Sequence, residues 1–243
     1  SMNTHGYEFT LSTRNIVTKD FTWTTDFIFA NAKTKITKLD TQTRVIDLVS
    51  GSGYALQGYP VRALFSIPFV GLNDEGLPMF INENNEVVTT DINFQEFEKK
   101  GYLKYEGPTD PTITGSFGNN FSYKGFHLNV FMTYSFGNVV RLDPIFKSAY
   151  SDLSSMPKEF KNRWRNPGDE RYTTVPVIAS MRQYKNDSNL SYAYNAYNYS
   201  TERIAKGDFI RLKEISLSYD FPSKWLSAIK FTNLQLKIQA TNL

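Results

Sequence analysis

The sequence predicts an all-β protein of antiparallel strands, on three observations. Apolar and polar residues alternate with a period of two in several runs, the signature of a strand with one apolar face. Aromatics make up 15% of the chain, 15 Tyr and 19 Phe among them, and Asn and Thr are plentiful; these types suit strands and loops better than helices. The connectors are unequal, with tight turns alternating with very long segments.

The elements follow in chain order. In GYEFTLSTR (6–14), Tyr7, Phe9 and Leu11 share one face and Glu8, Thr10 and Ser12 the other. A turn at Thr18-Lys19-Asp20 leads to FTWTTDFIFANA (21–32), where Phe21, Trp23, Thr25, Phe27 and Phe29 lie opposite Thr22, Thr24 and Asp26. A second pair is a hairpin about Lys124-Gly125. Its first arm sets Phe117, Phe121 and Tyr123 on one face. Its second sets Phe126, Leu128, Val130, Met132, Tyr134 and Phe136 against His127, Asn129, Phe131, Thr133 and Ser135. The third pair begins with Ile215, Leu217, Tyr219 and Phe221 against Glu214, Ser216, Ser218 and Asp220. Pro222 stops that strand, and a short link to Phe231 leads to Leu234, Leu236, Ile238 and Ala240 against Gln235, Lys237, Gln239 and Thr241. Ile210 and Leu212 have the opposite parity to Ile215 and Leu217, so a bulge is expected near Lys213-Glu214.

Two long segments, approximately 38–114 and 138–207, separate these pairs. The first holds short apolar runs with turns at 73–76 and 82–85. Within it DINFQEFEKKGY (91–102) is expected to form one or two helical turns, capped near Asn93 and stopped at Gly101. The second holds SSMPKEFKNRW (154–164), expected as a short helix with Pro157 in its first turn. RNPGDERYTTVP (165–176) and the tyrosine-rich loop SYAYNAYNYS (191–200) follow. No internal repeat supports a solenoid or propeller.

Several classes are excluded. A formal charge of +3 is too small to argue for nucleic acid. With no cysteine there is neither a disulfide framework nor a thiolate site. No run approaches the roughly 18 apolar residues of a membrane-spanning helix. The opening stretch lacks the basic head and apolar run of a secretory signal, but Ser1-Met2 reads as a cloning remnant, so the missing signal excludes no location.

Alternation alone leaves two architectures open, since a soluble β-sandwich strand is also apolar inside and polar outside. The run 126–136 fills the roughly 9–11 residues of a tilted membrane strand, against about 5–6 in soluble sheets. Aromatics bracket aliphatic middles, Phe126 with Tyr134 and Phe136 in one strand and Tyr219 with Phe221 at the end of another, as amphipathic rings do at the headgroup level. Short turns alternating with long loops are the organisation of an outer-membrane barrel. From the residues alone, such a barrel and a soluble or surface carbohydrate-binding sandwich stand side by side.

The stretch GDFIRLKEISLSYDFP…LQLKIQATNL resembles the C-terminal signature of SusC/RagA-like TonB-dependent outer-membrane transporters. In that family a Leu-Arg-Leu-Lys-like strand enters a Tyr-x-x-Pro turn, and the next strand ends in an Ala-x-Asn-Leu-like motif. Here these are Ile210-Arg211-Leu212-Lys213, Tyr219 to Pro222, and Ala240-Thr241-Asn242-Leu243. The hairpin Phe121-Ser122-Tyr123-Lys124-Gly125-Phe126 resembles the family's Phe-x-Tyr-Lys-x-Phe turn, and GYPVRALFSIPFVGLNDEGLPMF (58–80) resembles the segment before it. NRWRNPGDERY (162–172) resembles its Arg-Trp-x-x-x-Asn-Pro loop loosely. The resemblance runs over nearly the whole chain, and the order of the motifs strengthens it.

The resemblance implies antiparallel strands forming part of a roughly 22-stranded outer-membrane β-barrel, with long extracellular loops carrying short helices. It implies that residues 1–243 are a C-terminal portion contributing about six or seven strands, with the plug, the N-terminal strands and the last strands absent. The intact protein would import glycan oligosaccharides, or alternatively peptides, across the outer membrane. Its partners would be a SusD-like surface lipoprotein, the lipid bilayer, and TonB acting through the absent N-terminal part. No cofactor, metal or nucleic acid is implied.

Single residues are weighed within that frame. His5 lies in the tail. His127 and Asn129 sit on the polar face and are expected to line the lumen, with no carboxylate or second His clustered on His127. Glu214 and Asp220 share a face, but six residues of strand hold them roughly 20 Å apart, against about 5–9.5 Å in glycosidase pairs. With Ser216 they too are expected to face the lumen. LNDEG (72–76) lacks the spaced carboxylates of a calcium loop and reads as a turn. Tyr192, Tyr194, Tyr197 and Tyr199, with Tyr184 and Trp164 in the same long segment, are the candidate substrate-binding residues, because exposed rings stack on sugar faces and their hydroxyls bond to ring substituents. Arg211 and Lys213 are placed near the outer rim, facing lipopolysaccharide phosphates or water. No nucleophile–base pair, metal spacing or phosphate loop supports an enzyme.

Overall fold

The computed structural model describes residues 1–147 and 155–243. Strands β1 (Met2–Val17) and β2 (Phe21–Ile36) precede helix α1 (Val45–Val49). Five short strands follow: β3 (Ala63–Ser66), β4 (Phe69–Leu72), β5 (Pro78–Ile81), β6 (Val87–Val88) and β7 (Lys104–Pro108). The hairpin β8 (Ile113–Tyr123) and β9 (Phe126–Phe136) leads to β10 (Val139–Arg141), α2 (Met181–Asn186), α3 (Leu190–Asn198) and β11 (Ile204–Lys206). β12 (Phe209–Asp220), α4 (Ser223–Ser227) and β13 (Gln235–Thr241) close the chain. Residues 4–33, 111–137 and 207–243 form one compact unit, and residues 1–3, 34–110 and 138–206 form another.

The first unit is a 6-stranded sheet in the order β1-β2-β8-β9-β12-β13. Its antiparallel register keeps like faces together: Val130 pairs with Asn119 and with Ile215, and Ile215 pairs with Ala240. Lys124 and Gly125 have φ of 45° and 91°, the left-handed pair of a type I′ turn, whose twist matches that of the flanking strands. Thr18 N–H donates to the Phe21 carbonyl at 2.8 Å and closes the turn between β1 and β2. The expected bulge is present. Pairing of β12 with β9 shifts between Leu212 and Glu214, and the skipped Lys213 offers its carbonyl to Asn242 N–H at 3.0 Å.

Several expectations are corrected in this unit. β1 and β2 are longer than the alternation suggested, 16 residues each. His5, read as tail, is therefore a strand residue, because β2 continues far enough to give it a neighbour. The link after Pro222 carries α4 rather than a bare turn. The unit holds one sheet, and its apolar side chains stay uncovered: Tyr7 is 66% exposed, Ile210 67% and Ile238 69%. A sandwich would bury that face under a second sheet, so the sandwich is not what these strands build.

The second unit contains the meander β4-β5-β6 and the pairs β3–β7 and β10–β11. Asn73 and Asn82 each open a turn. Their carbonyls accept from Gly76 and Asn85 N–H, both at 3.0 Å, and their side-chain oxygens accept from Glu75 and Leu77, and from Asn84 and Glu86. Leu48, Phe65, Ile67, Phe80, Tyr194 and Tyr197 lie in one core, where each buried Leu, Ile or Phe contributes about 1.5–3 kcal/mol. Arg141 pins this core from inside. Its guanidinium donates to the carbonyls of Val49 (3.1 Å), Phe65 (2.6 Å), Ser200 (2.8 Å) and Arg203 (3.4 Å). Burial pushes its pKa down to about 10.

The helical turns expected at 91–101 do not form. Asn93 Oδ1 accepts from Gln95 N–H at 3.0 Å, and one Glu96 carboxylate oxygen accepts from the N–H groups of Phe97, Glu98 and Lys99. The Asn93 bond is that of a helix cap, but Glu96 takes the three donors that the next helical turn would pair. The carbonyls of Phe94 and Glu96 instead accept from Ile46 and Val45 N–H, both at 2.9 Å, and satisfy the start of α1. Residues Lys158–Asn162 form a 3-10 helix behind Pro157; Ser154, where that helix was expected to begin, lies outside the described residues. The tyrosine-rich stretch, read as loop, is α3. Leu190, Ala193, Tyr194 and Tyr197 recur at helical spacing and are buried.

Candidate functional site

The sheet presents two faces of different chemistry. On the apolar face Phe21, Tyr123, Phe126 and Tyr219 are in register beside the short turns, with Trp23 stacked on Phe121 at 5.8 Å. Near the other end Tyr7 stacks on Phe29 at 5.9 Å, Phe27 on Tyr134 at 6.2 Å and Tyr134 on Phe136 at 5.4 Å. Leu128, Val130 and Met132, beside Leu217, Ile215 and Leu212, fill the space between. The step from Phe126 to Tyr134 is roughly 26 Å of strand. At a tilt of about 45° that is roughly 19 Å of depth, close to the roughly 25 Å apolar band of membrane barrels. The Tyr134 ring lies over Gly115, where a Cβ would overlap it, and its hydroxyl donates to the Ile28 carbonyl at 2.7 Å.

One polar cluster interrupts this face. Asn119 Oδ1 accepts from Trp23 Nε1 at 2.9 Å and from the Thr25 hydroxyl at 2.7 Å. Asn15 Nδ2 donates to Thr25 Oγ1 at 2.7 Å, and Thr13 donates to Asn15 Oδ1 at 2.9 Å. The cluster therefore bridges β1, β2 and β8.

On the opposite face lie His127, Asn129, Glu214, Ser216 and Asp220. Here a carboxylate does cluster on His127, contrary to the sequence expectation. Its Nε2 is 2.9 Å from Asp220 Oδ2 and its Nδ1 is 2.9 Å from Ser122 Oγ. Gln235 Nε2 donates to Asp220 at 2.7 Å, and Asn129 Nδ2 donates to Glu214 at 3.2 Å. Asp220 lies 93 positions from His127 in sequence, so only the register brings them together. Ser122, His127 and Asp220 are the residue types of a hydrolytic triad. Ser122, however, sits inside a strand paired on both sides, where backbone N–H groups are engaged in the ladder rather than gathered for an oxyanion. The cluster can strap β8, β9, β12 and β13 at their turn ends.

The second unit holds a pocket of about 280 Å³ lined by Phe146, Lys147, Tyr184, Ser191, Tyr192, Tyr194, Asn195 and Asn198. Helices α2 and α3 form it. α2 starts with a reciprocal cap between Ser180 and Gln183. Asn198, at the end of α3, accepts from Ile145 and Phe146 N–H at 3.1 and 3.2 Å and donates to the Phe146 carbonyl at 3.0 Å. That bracket sets Phe146 against Tyr194, ring centroids 4.5 Å apart.

Three candidate tyrosines, Tyr184, Tyr192 and Tyr194, share this pocket, but only Tyr192 is largely exposed, at 54%. The Tyr194 hydroxyl donates to the Val177 carbonyl at 2.6 Å. Tyr197 lies in the core at 2% exposure, and burial, then nearby Glu202, pushes its hydroxyl pKa above the ordinary tyrosine range. Tyr199 packs on Phe94 at 5.9 Å. Trp164 is also buried. It covers Gly76, where a Cβ would overlap the indole, and its Nε1 donates to Glu170 at 3.0 Å. Phe146 and Lys147 complete the pocket from a segment whose sequence carries no periodic signal. Among the described residues no group of three or more His, Cys, Asp or Glu converges as metal ligands. No helix there is long and apolar enough to cross a membrane, which says nothing of strands.

No family model matches the chain. TonB-dependent receptor P3 of Formosa agariphila is 25% identical over 265 residues, covering 98% of this chain and 24% of its own length. TonB-dependent receptor P39 of the same organism is 23% identical over 294 residues, covering 100% of this chain and 26% of its own. The chain thus spans about a quarter of the length of the curated relatives it matches. Among solved structures, the RagAB peptide transporter matches with a TM-score of 0.72 at 20% identity, over 100% of this chain and 25% of that one. The RagAB peptide importer in the open-open state matches with a TM-score of 0.69 at 18% identity, again over 100% and 25%. Both likenesses are of fold.

Proposed function

We propose that this chain, a portion of a SusC/RagA-like TonB-dependent receptor, supplies wall strands and an outer substrate site to an outer-membrane importer. The observation that carries this is the apolar face of the sheet: two aromatic belts around an aliphatic band, with Ile238 left 69% exposed. Soluble monomers rarely tolerate contiguous apolar patches beyond a few hundred Å², whereas a barrel wall presents such a band to lipid. On this assignment the short turns are periplasmic and the long connections extracellular.

The proposed cargo is a glycan oligosaccharide. Tyr192 offers a ring face beside Ser191, Asn195 and Lys147, a combination of stacking surface and hydrogen-bonding groups that suits sugars. Tyr184 and Tyr194 line the same pocket and Tyr197 backs it through Phe146 at 5.5 Å, whereas Tyr199 and Trp164 pack elsewhere in the unit. Cargo would then pass along the face of His127, Asn129, Glu214, Ser216 and Asp220, which we assign to the lumen. The role is binding and gated passage, with no covalent step. A SusD-like lipoprotein would cap the outside, and TonB would act through another part of the receptor. A peptide cargo is the second reading, favoured by the likeness to the RagAB peptide importer.

The test is to tag the native receptor in its own host, extract the outer membrane in mild detergent and identify what co-purifies. A large complex with a stoichiometric lipoprotein is expected; a small species alone in the soluble fraction would sink the proposal. Uptake of labelled oligosaccharides against labelled peptides, in wild-type and Tyr192→Ala cells, decides the cargo.

A further inference from the structure

We infer that the link between β12 and β13 is an interfacial anchor, seated in the headgroup layer of the periplasmic leaflet with anionic phospholipid headgroups as its partner. The inference rests on the membrane assignment proposed above. The other two turns at this end, Thr18-Lys19-Asp20 and Lys124-Gly125, are short and polar. This link, FPSKWLSAIKFTNL (221–234), is long and rich in large apolar residues.

Its fold turns one of them in and the others out. Leu226 is buried at 3%, while Trp225, Ile229 and Phe231 are 60%, 57% and 58% exposed. The Leu226 carbonyl accepts from both Ile229 and Phe231 N–H, each at 3.1 Å, so the three exposed side chains are held on one compact turn. The link also leaves and rejoins the sheet on its apolar side. Phe221 N–H donates to the Leu234 carbonyl at 3.0 Å, and these residues continue the parity of Tyr219 and Leu236. Rings run on from the sheet into the link, Phe126 to Tyr219 at 4.4 Å and Tyr219 to Phe221 at 5.0 Å.

Charge selects the occupant. The link's ionisable side chains are Lys224 and Lys230, with no acid among its residues. Trp and Phe with flanking lysines are the chemistry of the membrane interface, and anionic headgroups attract such lysines. The three exposed side chains offer on the order of 400 Å², short of the roughly 800 Å² per partner of a stable protein interface. A lipid surface needs no such minimum.

The experiment uses the full-length receptor, freed of any native cysteine, in vesicles of phosphatidylethanolamine and phosphatidylglycerol. Nitroxide labels are attached at Ile229→Cys and Phe231→Cys, with Ile238→Cys and Lys19→Cys as apolar-face and polar-turn controls. Collisions with oxygen and with a water-soluble nickel chelate are compared. Labels at 229 and 231 are expected to meet the chelate at least about threefold less than the label at 19 while remaining open to oxygen. Replacing phosphatidylglycerol by phosphatidylcholine, or both lysines by Gln, is expected to raise chelate collisions about twofold. Chelate access equal to that at 19 would overturn the anchor. Closure to both probes would overturn it in favour of a protein partner or a second copy. Indifference to lipid charge would overturn the headgroup assignment. A chelate-accessible label at 238 would instead remove the membrane assignment itself.

Discussion

Replacing Ile215 by Arg sets a charge in the middle of the apolar face. Ile215 pairs with Val130 on one side and Ala240 on the other, and Val130 stands midway between Phe126 and Tyr134. Each half of that interval is roughly 13 Å of strand, or roughly 9 Å of depth at a tilt of about 45°. Arginine at such a mid-depth position on the lipid face of a barrel costs about 2–4 kcal/mol, which is roughly 30- to 900-fold in the folding equilibrium. Two comparisons give the prediction its edge. Ile210→Arg falls in the belt row beside Tyr134 and is expected to cost about 0–1 kcal/mol. Gln239→Arg, on the polar face, is expected to stay within about 0.5 kcal/mol. The assay is urea unfolding of the receptor in vesicles, read as the mobility of the unheated folded band. Equal losses at 215 and 210 would refute the lipid assignment, because a face covered by protein has no depth gradient. Losses below about 0.5 kcal/mol at both would refute it too, because the face would then lie in water.

Other outcomes follow from the second unit. Tyr192→Ala is expected to lower uptake several-fold with stability changed by less than about 0.5 kcal/mol, whereas Tyr197→Ala should cost about 3–5 kcal/mol; thermal unfolding and transport assays separate the two. Arg141→Met leaves the carbonyls of Val49, Phe65 and Ser200 without their donor and is expected to cost about 3 kcal/mol or more, seen as faster hydrogen exchange in α1 and β3. Arg141→Lys should recover little of it, since a compact ammonium cannot span three directions. The Glu170 carboxylate is held below the ordinary range by the Trp164 indole N–H and then by backbone donors. A depressed carboxylate stabilises the fold above its unfolded pKa of about 4.3, and that contribution is lost as pH falls through the lower folded value. Trp164 fluorescence should therefore change on acidification below about pH 4, and Glu170→Gln should flatten that part of the response.

How much was legible follows from how local each signal is. The sheet was readable because alternation is written into consecutive residues; even the bulge at Lys213 was visible as a parity change between Leu212 and Ile215. The Tyr-rich helix was not, because exposed Tyr192 on its outer side blurs the period carried by Leu190, Ala193, Tyr194 and Tyr197. The segment 91–101 failed for the opposite reason. Its composition suits a helix and Asn93 caps as one would, but the Glu96 side chain binds the next backbone donors first. The contact between His127 and Asp220 and the pocket wall made by Phe146 depend on long-range register and on a bracket from Asn198, and no local pattern announces either.

The polar cluster around Asn119 bears on assembly. Alternation with a period of two forbids a one-residue slip between strands, since that would turn apolar side chains inward. It is blind to a slip of two, which returns every side chain to its own face. Asn119 is not blind to it. In the native register it stands opposite Thr25, with Trp23 and Asn15 completing its clasp. Two residues either way it would face Trp23 or Phe27 instead, and on the lipid-facing assignment proposed above its amide would sit in hydrocarbon without the Thr25 hydroxyl, at a cost of several kcal/mol. The clasp thus acts as a key in a lock of otherwise repeating teeth. It lets the wall count its residues in pairs as well as tell inside from outside.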